Sequence, residues 1–210
     1  MRHPSPRGAA SREEVFLPLP APRSRIVPTT KFKSTWIVSS QNALRARGHW
    51  DRYMTAIPAE HRQAIELTIV GGWLPIAVAV AHYEACESLG LSKAEQVEMG
   101  REVSKHLDRT LLGTAARVAH QAGVTVWTPL GQLHRLWNRM FVGGGTAVYK
   151  LGPKETRIEF VGCTLGHIPY FRAGLRGVLH SVGSAFTEKL YVSDLPSDSP
   201  DSIHFRAAWV

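Results

Sequence analysis

Apolar residues recur at helical spacing through the first two thirds of the chain, and the period then shortens to two. The early pattern predicts helices over Ser40–Arg47 and Trp50–Ile57, and a third opened by Pro58-Ala-Glu60 with proline in its first turn. Leu74–Leu89 is apolar nearly all round, which predicts a buried helix stopped by Gly90. Ser92-Lys-Ala-Glu95 is a capping box. It opens a long helix whose stripe is Met99, Val103, Leu107, Leu111, Ala115 and Val118. A further helix, Pro129–Val142, presents Leu130, Leu133, Trp137, Met140 and Phe141 on one face.

After Gly143-Gly-Gly145 the alternation is that of strands. Thr146–Leu151 and Thr156–Val161 flank a Gly152–Glu155 turn and predict a β-hairpin. A helix follows from Pro169, with Phe171, Leu175, Val178, Leu179, Val182 and Phe186 as its stripe. Strands Lys189–Ser193 and Ile203–Trp209 close the chain. The expected class is α+β: a helical N-terminal half packed on an antiparallel sheet, with β-β-α-β-β order in the C-terminal part.

The first 34 residues differ from the rest. Pro18, Pro20 and Pro22 favour an extended polyproline-like path, and the segment is expected to be a disordered basic tail before a single domain over 35–210. The net charge of +8 is mostly there, since seven Arg or Lys face only Glu13 and Glu14. The domain itself is nearly balanced, so nucleic acid is an expected partner only through the tail. No apolar run approaches the roughly 20 residues of a membrane span, and Val15-Phe-Leu17 is broken by Pro18 before it could form a signal peptide core. Two cysteines, Cys86 and Cys163, are too few for a disulfide framework and fit buried thiols in a reducing cytoplasm.

Candidate chemistry is sparse. The glycine triplet follows a helix and precedes a strand, the reverse of a phosphate-binding loop, so it predicts a helix stop and turn. There is no Gly-x-Ser-x-Gly elbow and no His-Glu-x-x-His run. His82 and Cys86 are one helical turn apart, either packing residues or two of the ligands that a metal would need. His134 lies about 40° round the helix from Leu130, beside the apolar face. It is either a hydrogen-bonded core histidine or a ligand for a bound guest.

The run Leu130-Gly-Gln-Leu-His134 through Gly145, the hairpin ending Arg157-Ile-Glu-Phe160, Tyr170-Phe-Arg-Ala-Gly-Leu-Arg-Gly-Val-Leu179 and the closing strands together resemble an uncharacterised myxobacterial paralogous family of roughly 200 residues. The Met99-Gly-Arg101 turn fits it too. The same order resembles heme–nitric oxide/oxygen-binding domains and, more distantly, vinyl-reductase-type domains and small subunits of Golgi transport complexes. The resemblance implies a guest or acyl chain between helices and sheet, and places His134 where heme-binding members carry their iron ligand. The chain departs from their Tyr-x-Ser-x-Arg clamp, reading Phe160-Val-Gly-Cys-Thr164 instead, which removes the partners of the heme carboxylates.

The expectation is a non-enzymatic small-molecule-binding or sensory domain that relays ligand state to a signalling protein. No cofactor is expected apart from heme at His134 if that resemblance extends to the metal. The expected lining is Trp73, Tyr83, Leu107, Leu111, His134, Trp137, Met140 and Phe141. The alternative is a protein-interaction scaffold without a ligand, which would be expected to form a homodimer.

Overall fold

The computed structural model describes residues 13–107 and 125–210. The elements are β1 (Glu14–Leu17), β2 (Lys31–Lys33), α1 (Ser34–Ala46), α2 (Trp50–Ala56), α3 (Ala59–Glu66), β3 (Trp73–Pro75), α4 (Ile76–Glu87) and α5 (Lys93–Leu107). Then come α6 (Trp127–Gly131), α7 (Leu133–Met140), β4 (Phe141–Val142), β5 (Gly145–Gly152), β6 (Glu155–Val161), α8 (Pro169–Gly183), β7 (Leu190–Leu195) and β8 (Ile203–Trp209). The class is α+β, with helices packed on a five-stranded antiparallel sheet of order β1-β5-β6-β8-β7 and a small sheet of order β3-β2-β4.

Direct cross-strand pairs fix which side chains share a face. Ile158 pairs with Phe205, Phe160 with Ile203 and Ala207 with Val192, and these point to the helices. Glu159, paired with His204, points the other way. The predicted capping box forms: Glu95 accepts from the Ser92 backbone N–H at 2.8 Å, while the Ser92 hydroxyl accepts from the Glu95 N–H at 3.3 Å. The stripe expected to run on to Val118 passes beyond α5 into residues outside those described.

Two expectations are corrected. The tail is not a solvated arm from Glu14 onward. β1 pairs with the edge strand β5, and Phe32 of β2 is fully buried against Trp36, Tyr83 and Phe141. The intervening chain makes one 3-10 turn at Arg23–Arg25 and reaches the outer face of the sheet. There Arg23 pairs with the buried Glu159, and Glu159 also meets Arg157 at 3.2 Å. A few apolar residues spread among prolines are enough to dock an extended chain on an existing edge, which composition does not reveal. Secondly, the single helix expected over Pro129–Val142 is two, α6 and α7, broken at Gln132 (φ −102°, ψ 4°). Its last two residues have become β4, because their backbone pairs with β2.

The glycine triplet is the predicted stop and turn. Gly143 and Gly144 both take positive φ (92° and 69°), which lets the chain reverse between β4 and β5. The turn is held from both sides, by Trp137 Nε1 donating to the Gly143 carbonyl at 2.9 Å and by the Gly144 N–H donating to Val27 at 2.7 Å.

Candidate functional site

Where α8 crosses the inner face of the sheet the layers do not close, and a cavity of about 630 Å³ remains. Its floor is Ile158 and Phe160 of β6, Ala207 of β8, and Leu190 and Val192 of β7. One wall is Leu175, Val178, Leu179 and Val182 of α8; the facing wall is Pro129, Leu130, Leu133, Leu136 and Met140 of α6 and α7. Ser104 of α5 and Trp36 of α1 also line it. Near β2 the lining changes character: Lys33, Thr35 and Trp73 face Asn138 and Arg139 at the end of α7. The volume is that of a small-molecule pocket rather than a packing fault.

Of the eight residues expected to line a site, Trp73 and Met140 border this cavity. Trp137 and Phe141 stack on one another with ring centroids 4.0 Å apart, on the core side of α7. Tyr83 is buried among Phe32, His82 and Phe171. The side chain of Leu107, and all of Leu111, lie outside the described residues. His134 turns away from the cavity toward β5. Its Nδ1 is 2.8 Å from the Thr146 hydroxyl, and its Nε2 is buried without a hydrogen bond among the described residues. Burial lowers its pKa below the ordinary histidine value. The α8 stripe and the strand alternation were visible in the sequence, but they read as closed core. A gap between layers depends on summed side-chain volumes that periodicity does not carry.

A polar cluster in the helical half accounts for His82 and Cys86. Tyr53 Oη lies 2.6 Å from His82 Nδ1 and Ser40 Oγ 3.0 Å from Nε2, so two hydroxyls satisfy the neutral ring. Cys86 Sγ is 3.8 Å from Nε2, and burial raises its pKa well above the ordinary thiol range. Burial likewise raises the pKa of Cys163, to about 12. Both thiols stay protonated, and no three His, Cys, Asp or Glu among the described residues could hold a metal ion.

His82 also sets an acid sensitivity. Burial lowers its pKa from 6.5 to about 3, so the unfolded chain takes up a proton that the folded one refuses. Stability contributed by the neutral ring is full above about pH 6.5 and falls as the pH drops toward 3, by up to about 1.4 kcal/mol per pH unit. Urea unfolding of wild type and His82→Gln at pH 7, 6 and 5 checks this. The wild type is expected to lose more stability than the variant over that range.

No protein-family model matches the chain, and no curated protein matches it. Solved structures do match. A Cs H-NOX mutant carrying 4-cyano-L-phenylalanine superposes with a TM-score of 0.59 at 12% identity, over 84% of this chain and 96% of that one. A mutant H-NOX of T. tengcongensis gives 0.56 at 11%, over 84% and 97%. An oxygen-binding H-NOX domain related to soluble guanylate cyclases, in its oxygen complex, gives 0.53 at 12%, over 83% and 91%. At such identities the likeness establishes the fold. The chain has the H-NOX fold.

The described residues that line the cavity do not fit a histidine-ligated heme. Iron in such a site needs an axial donor, and the two carboxylates need fixed partners. Among the described residues no His, Cys or Tyr lines the cavity. The segment in the place of the carboxylate clamp is engaged elsewhere: the Thr164 N–H donates to the Thr29 hydroxyl at 3.0 Å, and the Cys163 N–H to the Asp201 carbonyl at 2.7 Å.

Proposed function

We propose that the chain is a non-enzymatic, small-molecule-binding sensory domain that holds a mostly apolar guest between α8 and the sheet and relays its presence to a partner protein. The observation that carries this reading is the cavity of about 630 Å³, because native interiors of this size otherwise close to crystal-like density. A guest would touch α8 along five residues, and α8 packs directly on α5, so occupancy has a mechanical route to the helical half.

Filling the cavity from its floor tests the reading. Ala207→Leu places three more carbons in the void. It is expected to raise stability by about 1 kcal/mol in the empty protein and to weaken uptake of an apolar fluorescent probe at least about tenfold. A void that is merely a packing fault would gain stability with no probe binding to lose. Native mass spectrometry of gently purified protein should show a bound small molecule. A clean apo mass, together with no probe uptake by the wild type, sinks the proposal.

The fold likeness supports heme as a second reading, although the described lining does not. Hemin titration is expected to give no sharp Soret band. A band abolished by His134→Ala would restore heme. The scaffold alternative draws on the exposed run Leu67, Ile69 and Val70 after α3 (69%, 77% and 63% exposed). A stable dimer in sedimentation, lost in Ile69→Asp, would favour it.

A further inference from the structure

We propose that the guest is an amphiphilic anion, an alkyl chain ending in a carboxylate, held with the carboxylate at Lys33 and Arg139 and the chain against α8 and β7. This rests on the ligand-binding reading above and adds the chemical class of the ligand.

Among the described residues the charged side chains of the lining lie at one end of the cavity. Antiparallel pairing of Phe32 with Phe141 carries Lys33 to the end of α7, whose last turn holds Arg139, and both residues line the cavity. Among the described residues these two are the charged lining residues, both cationic, and no carboxylate faces them there. Lys33 lies over the Trp73 ring, 4.6 Å from its centroid. Two like charges at one mouth without a counter-ion favour an anion.

Backbone adds to the same field. Lys33 is the N-cap of α1, a 13-residue helix with no side-chain cap and no acidic residue in its first turn, and Thr35 of that turn lines the cavity. The opposite end is Val182, Leu190 and Val192, which offer no hydrogen-bonding side chain. A polar group placed there would be left unpaired at a cost. A neutral apolar guest would leave both cations unanswered. A chain with one anionic end satisfies both ends at once.

The test uses the full chain and three probes of equal chain length: dodecanoate, dodecanol and dodecylamine. Trp36 and Trp73 line the cavity, so intrinsic tryptophan fluorescence reads binding. At low salt dodecanoate is expected to bind at least about tenfold tighter than dodecanol, with dodecylamine weakest. In the Lys33→Gln/Arg139→Gln double variant the gap should shrink to within about threefold, and 0.5 M salt should narrow it in the wild type. Retained dodecanol binding shows that the variant is folded. Equal affinity of the wild type for dodecanoate and dodecanol would overturn the head-group assignment and leave the cavity reading standing. A gap that survives the double substitution would also overturn it. No binding of any of the three would overturn both.

Discussion

Trp137→Ala is expected to lower the unfolding free energy by about 3–5 kcal/mol and to leave little folded protein at 37 °C. Trp137 is fully buried, stacks on Phe141 and lies 5.2 Å from Phe160 between ring centroids, so it joins α7 to the sheet floor. Its indole N–H also holds the Gly143 carbonyl at 2.9 Å, and removal leaves that half-buried acceptor without the bond. The cavity created would be next to an existing one, which gives the surroundings little to collapse against. Leu136 is the comparison. It is half-buried on the cavity side of the same helix, so Leu136→Ala is expected to cost about 1 kcal/mol or less while weakening guest binding. Urea midpoints and probe affinities for the two variants separate a core residue from a lining residue. Equal stability losses would mean that the two faces of α7 have been assigned wrongly.

That pair of residues shows where the sequence was legible. The 3.6-residue stripe on α7 is plain, and so is the period-two alternation of β5, β6 and β8; together they dictate the layers and which faces meet. The stripe does not say which side of it meets the sheet and which meets a gap. Trp137, Met140 and Phe141 look equivalent on a helical wheel, yet only Met140 lines the cavity. His134 and Lys33 show two different limits of the sequence. His134 was read from its angle to the apolar face, and that angle fits a hydrogen bond to Thr146 as well as a site. Lys33 lay in a segment whose composition signalled disorder, although a single apolar residue beside it, Phe32, anchors a strand. Composition averages over a window. Docking is decided by one or two side chains and a free strand edge.

Gly100→Val is expected to destabilise by about 3 kcal/mol, at the upper end for overpacking, and to loosen the route from the cavity to the helical half. A Cβ on Gly100 would come within 2.0 Å of the Gly174 carbonyl oxygen, and one on Gly177 within 2.1 Å of the Val97 carbonyl oxygen. Both clashes are with backbone, so no rotamer can relieve them, and α5 and α8 would have to separate. The two helices meet through reciprocal glycines because only a missing side chain allows backbones so close. Gly174 provides the control on the same helix. A Cβ there meets nothing within 4 Å, so Gly174→Ala should gain about 0.5–1 kcal/mol from helix propensity alone. Thermal unfolding of the two variants should therefore shift in opposite directions. Since α8 carries five lining residues, separation of the helices should also change probe affinity in Gly100→Val and leave it unaltered in Gly174→Ala. If both glycines tolerate substitution, the close crossing is not what couples the cavity wall to α5, and the relay would have to run through α1, which also lines the cavity and packs on α5.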